Sequence, residues 1–448
     1  MGNQKNVVIL IADSLRYDSV FSSGKRDGNL PTLYNNSYTY RNAFSAGCWT
    51  LPATASIFTG KLPHQHQATT RTRMELNTET PALPEILGKR GYESIQITAN
   101  PVTTHIFGLD RGFDRLERSW LYFDIDEQPG LNTFLLLGKR RIRKRFLKGD
   151  FITGKITEDV QAGRSWFNSF ADLQLARSID ILDENRRRNK PTFLFINLME
   201  THFPYHIADS FKTLSPGIFS KVNEIKSLYH LANQSWLKTG KRYISPYMLD
   251  LLKKRQRLSW ARLAEKVDSF FKIIRKQFPE TLFVFGADHG DNFGDEGWKY
   301  HFSNLTEAGN RVPLFVAPPD KNTSQEVKKS ISNRRLFDYI INFTFSKNQG
   351  VPLFEHERLP ILQSFWYDMH GSTHPQYQYD QFGFINGKHR YIYNRNWKKY
   401  RIEKLTKKFP EYEQIDGNPI YDLDLLPQQR QNLADQHQKF LSFSEAIS

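Results

Sequence analysis

Two aspartates and a histidine stand where apolar runs end. The run VVILIAD delivers Asp13, and LFVFGADHG delivers Asp288 followed at once by His289. A carboxylate and an imidazole in one loop make half of a divalent-cation site, and a carboxylate from another run brings the donors to three. Thr50 offers a fourth oxygen. It opens TLPATASIFTG, which reads as a short helix with Thr50 at the N-cap, Pro52 in the first turn and Gly60 as the stop. A hydroxyl there lies beside free backbone N–H groups and the positive end of the helix dipole, where a tetrahedral anion is stabilised. Taken singly, N-cap threonines and Asp-His-Gly loops are ordinary features. Taken together they suggest a hydroxyl activated by a cation.

Such a site needs elements that bring distant residues to one edge. NVVILIADS (6–14), SIQITAN (94–100), TFLFINL (192–198), TLFVFGADHG (281–290) and VPLFVAPP (312–319) predict buried strands. Helical patterns fall at 80–90, 163–189 and 246–277. Apolar strands separated by helices predict an α/β fold, a mostly parallel sheet covered by helices on both faces. Ligands gather at the carboxyl ends of such strands. Beyond about residue 320 the pattern turns antiparallel, and Asn386-Gly387 between alternating apolar residues signals a type I′ hairpin. The expected organisation is a catalytic α/β domain over 1–320 and a smaller α+β subdomain over 321–448.

Composition narrows the partners. With 62 basic and 47 acidic residues the net charge is +15, which favours an anionic partner such as a phosphate or sulfate ester. KRRIRKRFLK (139–148) carries seven basic residues in ten and follows an apolar stretch, compatible with peripheral contact to anionic lipid as well as with a plain solvated face. No nucleic-acid recognition fold or aromatic platform accompanies the basic runs. One cysteine excludes an intramolecular disulfide and a thiolate metal cluster. The first apolar run is too short for a signal peptide or a membrane span, so a cytoplasmic location, with peripheral membrane attachment as an option, is the expectation.

Seven stretches in order carry a family resemblance: NVVILIADSLRYD; ASIFTGKLPHQH; LPEILGKRGYESIQITAN with LDRGFD; PTFLFINLMETHFPY; GADHGDNFGDEGWKYH with RVPLFVAPP; FINGKHRYIYN; and IYDLDLLPQQRQNLAD. The chain resembles the sulfatase family of the alkaline phosphatase superfamily. The resemblance implies that Asp13, Asp288 and His289 hold one divalent ion together with Thr50. The imidazole favours zinc or manganese, with calcium and magnesium also compatible. It also implies site roles for His202 and His301 as proton donors or substrate binders, and for Asn100 as a donor to the ester.

The sequence departs from the family pattern at the nucleophile. Sulfatases place a Cys or Ser there and convert it to formylglycine. Counting back from Thr59-Gly60 and from Pro52, this chain has Thr50, whose Cβ methyl forbids that conversion. Cys48 is two places too early and reads as a small buried filler. Thr54 stands at the family arginine, Asn100 at a frequent lysine, and Ser14 at a second metal-binding aspartate. A threonine nucleophile is similar to the lipoteichoic-acid synthase and phosphoethanolamine transferase branches, which form phosphothreonine. The expected function is a metal-dependent hydrolase or transferase of phosphate esters of a sugar or lipid-linked substrate. The alternatives are a sulfuric ester hydrolase, and an inactive module that binds acidic glycans or lipid head groups.

Overall fold

The computed structural model describes residues 5–21, 26–69, 74–119, 171–203, 205, 246–301, 305–345, 361–364, 381–386, 389–394 and 399–404. The basic run 139–148 and the closing IYDLDLLPQQRQNLAD segment lie outside them.

The core is a nine-stranded mixed sheet. Its strands are β1 (Asn6–Ala12), β2 (Tyr38–Phe44), β3 (Glu93–Thr98), β4 (Arg115–Arg118), β5 (Thr192–Leu198) and β6 (Thr281–Gly286). A two-stranded ribbon, β7 (Asn292–Phe293) and β8 (Lys299–Tyr300), follows, and β9 (Arg311–Ala317), β10 (Gln325–Val327) and β11 (Ile331–Ser332) rejoin the sheet. The order is β10-β2-β9-β6-β1-β5-β3-β4, with β11 also on β2. The central β6-β1-β5 ladder is parallel, and every residue of these three strands is buried. That explains why they read as unbroken apolar runs rather than alternating ones.

The parallel pattern breaks at β9, which runs antiparallel to both β6 and β2. The chain leaves β6 at its carboxyl end and re-enters the sheet at that same edge, with no long crossover helix between, so it must run back. The helices Ala171–Arg187 and Pro246–Gln277 supply longer connections. Trp260 of the second stacks on Phe285 of β6 at 5.5 Å between ring centroids. Among the described residues no helix is long and apolar enough to cross a membrane.

Residues 325–332 and the helix Leu336–Phe345 continue the first unit, because β10 and β11 pair with β2. We therefore propose a boundary between 345 and 361 in place of the one expected at 320. Beyond it lies an antiparallel four-stranded sheet, β12 (Ile361–Ser364), β13 (Gln381–Asn386), β14 (His389–Asn394) and β15 (Lys399–Lys404). The β13–β14 hairpin pairs Asn386 with His389, and its turn lies outside the described residues. Two contacts tie this sheet to the loop after β6: Leu305 N donates to Gln381 Oε1 at 2.8 Å, and Arg390 Nη2 to Glu296 Oε1 at 2.7 Å.

Candidate active site

The carboxyl ends of four neighbouring strands bring the candidate residues together. Asp13 follows β1, Asn100 follows β3, His202 follows β5, and Asp288 with His289 follow β6. Thr50 begins the helix Thr50–Thr59, which the chain enters from β2. All ten residues of that helix are buried, and Phe58 sets its edge against Phe195 of β5 at 4.8 Å. Burying one such aromatic contributes roughly 1.5–3 kcal/mol. Asn310, just before β9, fixes the approach to the helix by donating from Nδ2 to the carbonyls of Ser45 (3.3 Å) and Gly47 (3.0 Å).

Thr50 is the first residue inside the helix, not its N-cap. The cap is Trp49, extended at φ −160° and ψ 168°, whose carbonyl accepts from Ala53 N at 3.2 Å. The hydroxyl thus turns to the strand ends rather than to the helix's own N–H groups. Thr50 Oγ1 donates to Asp13 Oδ2 at 3.4 Å and lies 3.3 Å from His289 Nε2. Asn100 Nδ2 donates to Asp13 Oδ2 at 2.7 Å and stands 3.4 Å from Thr50 Oγ1.

The donor set fits a divalent cation. One atom each from Asp13, Asp288 and His289 lies within 4.8 Å of the others, and all three residues are buried. His289 Nδ1 is 2.8 Å from the Gly290 carbonyl, which only accepts, so Nδ1 carries the proton and Nε2 directs a lone pair inward. Asp288 Oδ1 accepts from His289 N at 2.9 Å and from Ser14 N at 3.3 Å, whereas Oδ2 is buried without a hydrogen-bond partner. Ser14 adopts a left-handed φ of 59° to deliver its N–H, a conformation that costs a non-glycine residue of order 1 kcal/mol. Burial, and after it the charge of Asp13, holds the Asp288 carboxyl well above the usual carboxylate range. A cation between the two carboxylates would satisfy the orphaned oxygen and remove that conflict.

The imidazoles form the next layer. The His301 ring lies 4.5 Å from that of His289 and 5.2 Å from that of His202. His202 Nδ1 meets the Phe203 carbonyl at 2.7 Å. Burial first, then His289 and His202, holds His301 well below the ordinary histidine value. Cys48 is buried in the apolar core.

A family model described as Sulfatase matches residues 5–344. The chain belongs to the sulfatase family. It is 22% identical over 377 residues to N-acetylglucosamine-6-sulfatase of Capra hircus, covering 80% of this chain and 63% of that protein. Choline-sulfatase of Rhizobium meliloti (strain 1021) is 24% identical over 341 residues, 70% of this chain and 62% of that one. The chain thus spans a little under two thirds of the length of these sulfatases. The crystal structure of phosphonate monoester hydrolase of Agrobacterium radiobacter superposes with a TM-score of 0.66 at 13% identity, covering 99% of this chain and 96% of that one, a likeness of fold. Sulfatases generally use a divalent metal, in keeping with the donor set above.

Several polar residues of this sulfatase-family site escape sequence reasoning. Asn197, within β5, donates to Asp13 Oδ2 at 3.2 Å, and an asparagine inside the apolar run TFLFINL was the available signal. Asp291 accepts from Tyr205 OH at 2.6 Å and faces His301 Nδ1 at 3.3 Å. Burial pushes its carboxyl up to about 6, against the opposing effect of the Tyr205 hydroxyl. Arg16 joins the loops after β1 and β6, donating to the Asp291 carbonyl at 2.7 Å and to Asp295 at 2.5 Å. Spacing in the chain does not show that these groups meet.

Proposed function

We propose that this chain is a metal-dependent hydrolase or transferase of phosphate esters that works through a covalent adduct on Thr50. The proposed substrate is a phosphomonoester or phosphodiester of a sugar or a lipid-linked alcohol. The observation that carries the reading is the Thr50 hydroxyl at the head of a helix, beside Asp13 Oδ2 and His289 Nε2. Asp13, Asp288 and His289 would hold the divalent ion with Thr50 Oγ1 as a further donor, zinc or manganese being favoured by the imidazole. When bound, the ion lowers the pKa of the hydroxyl and offsets charge on the ester.

The residues divide the remaining work. Thr50 Oγ1 attacks phosphorus as its proton passes to Asp13 Oδ2. The bond from phosphorus to the leaving oxygen breaks, and that oxygen takes the Nε2 proton of His301 or His202, the ring entering the step as imidazolium and leaving it as the neutral Nδ1–H form. The N–H groups of Asn100 Nδ2 stand beside Thr50 Oγ1, where a non-bridging oxygen of the adduct would come. In the second step water or an acceptor alcohol attacks phosphorus and gives its proton to the same imidazole. Oγ1 leaves and recovers its proton from Asp13. Threonine supports this route because its adduct is released at phosphorus and needs no second hydroxyl on Cβ.

A second reading is sulfate ester hydrolysis, favoured by the sulfatases named among the relatives. Turnover of nitrophenyl phosphate, bis-nitrophenyl phosphate and nitrophenyl sulfate, each with zinc, manganese, magnesium and calcium, decides between the two. The proposal expects a phosphate ester to be cleaved fastest. Sulfate cleavage with inert phosphate esters installs the second reading, and no turnover with any ion leaves the anion-binding module.

A further inference from the structure

We infer that Asp291 is a positioning residue: its carboxylate fixes the tautomer and orientation of His301, so that Nε2 is the atom that exchanges a proton with the ester oxygen. The inference rests on the phosphate-ester reading for what His301 does, but not for how it is held.

Asp291 is fully buried, and both carboxylate oxygens and the backbone carbonyl are held. Oδ2 accepts from Tyr205 OH at 2.6 Å, Oδ1 accepts from Asn292 N at 3.1 Å, and the carbonyl accepts from Arg16 Nη1 at 2.7 Å. Arg16 is itself fixed, with Nε and Nη2 on Asp18 at 2.6 and 2.8 Å and Nη1 on Asp295 at 2.5 Å. A carboxylate held at so many points has little freedom to follow the ring that it faces. The ring must follow it.

His301 Nδ1 lies 3.3 Å from Asp291 Oδ1. A carboxylate accepts and does not donate, so Nδ1 carries the proton and Nε2, on the opposite side of the ring, is the basic atom. The plane of the ring is fixed as well, because it stacks on Tyr300 at 4.1 Å between centroids and 22° between planes. Asp291 stands apart from the cation donors, which among the described residues are Asp13, Asp288 and His289. It is none of these donors, and its contact with a proposed reacting group is the one to His301 Nδ1. A purely structural aspartate would hold the loop without caring which imidazole nitrogen bears hydrogen.

The experiment uses the full metal-loaded chain with nitrogen-labelled histidine, His301 being assigned by its loss in His301→Gln. The expected result, read at a pH where the ring is neutral, is an Nδ1–H tautomer in the wild type. Asp291→Asn, whose amide can donate to Nδ1, should convert it to Nε2–H. Turnover of an alkyl phosphodiester should fall about 100-fold in kcat with KM little changed, the lower end of what a positioned proton donor contributes. The loss should be smaller for a nitrophenyl ester, whose leaving group needs no proton, and Asp291→Asn should add nothing in the His301→Gln background. Asp291→Glu should restore the Nδ1–H form, and it serves where Asp291→Asn fails to fold. An Nε2–H tautomer in the wild type, or one unmoved by Asp291→Asn, overturns the inference. If the wild type cleaves no phosphate ester, the phosphate-ester reading fails and the spectra alone decide the role of Asp291.

Discussion

Asp13 and Asp288 hold matching places on neighbouring parallel strands: Ile11 of β1 pairs with Gly286 of β6, and each aspartate comes two residues later. The register therefore sets two carboxylates side by side in the interior, where both are fully buried. Without a cation this arrangement opposes folding, and with one it becomes a binding site. Asp288→Asn should raise the stability of the metal-free protein by about 1–3 kcal/mol, by relieving the repulsion. The same change should remove the stabilisation that metal gives the wild type, about 2.7 kcal/mol at 100 times the dissociation constant. Denaturant melts with and without metal check both signs. A wild type indifferent to every divalent ion contradicts the prediction.

Asn100 links Thr50 to Asp13 through one side-chain amide. Asn100→Ala leaves Asp13 with Asn197 as its amide donor and takes away the donor beside Thr50. A hydrogen bond to a charged partner is worth about 1.5–3 kcal/mol, which corresponds to a fall of roughly 10- to 150-fold in kcat/KM. Steady-state kinetics on the phosphate panel measures it, and an unchanged kcat/KM would remove Asn100 from the site.

Gly60 ends the Thr50 helix at φ 67°, with its N–H on the Ser56 carbonyl at 2.9 Å. A Cβ there would meet Phe337 Cδ1 at 2.9 Å. Gly60→Ala thus combines a left-handed penalty with a clash against a ring, and a loss of about 1–3 kcal/mol is expected. Urea midpoints test it. Gly290 is more exacting, since a Cβ would lie 2.0 Å from the Ala308 carbonyl oxygen. Gly290→Ala should weaken metal affinity more than overall stability, because the residue that moves is next to His289.

His66 is buried and neutral. Its Nδ1 accepts from Ala68 N at 3.1 Å, which leaves Nε2–H to meet Ser56 Oγ at 3.0 Å. Burial takes its pKa down to about 3. In the unfolded chain a histidine binds its proton near pH 6.5, so the unfolded state holds the extra proton between those values. The sign follows: the fold loses stability as pH falls from about 6.5 towards 3, by up to about 1.4 kcal/mol per pH unit from this group. His66→Gln should be less stable than wild type at neutral pH and should show a shallower decline across that window. Equal slopes for the two proteins would contradict it.

The expected strand over 192–198 and helix over 246–277 coincide with the elements found. The first is an unbroken apolar run and the second a long helical repeat, and neither needs a partner to be recognised. The strand YTYRNAF over 38–44 was not foreseen, because threonine, arginine and asparagine interrupt its apolar pattern. The direction of β9 was equally hidden, being a property of where the chain re-enters the sheet. At the site, Asp13, Asp288 and His289 could be read because they terminate apolar runs, and Thr50 because it opens a helix. Asn197 leaves only the trace of an amide inside an apolar run, and Tyr205 and Asp291 leave none, since what matters in them is which distant atom they face.

The central claim is that Thr50 Oγ1 is the atom that takes the phosphoryl group. Intact-mass analysis of the metal-loaded chain after brief exposure to bis-nitrophenyl phosphate, followed by peptide mapping, reads it directly. The prediction is one added nitrophenyl phosphoryl group, the first nitrophenol having left, on the peptide that contains Thr50, absent from Thr50→Ala. Steady turnover by Thr50→Ala at the wild-type rate, or an adduct on any other residue, would contradict it.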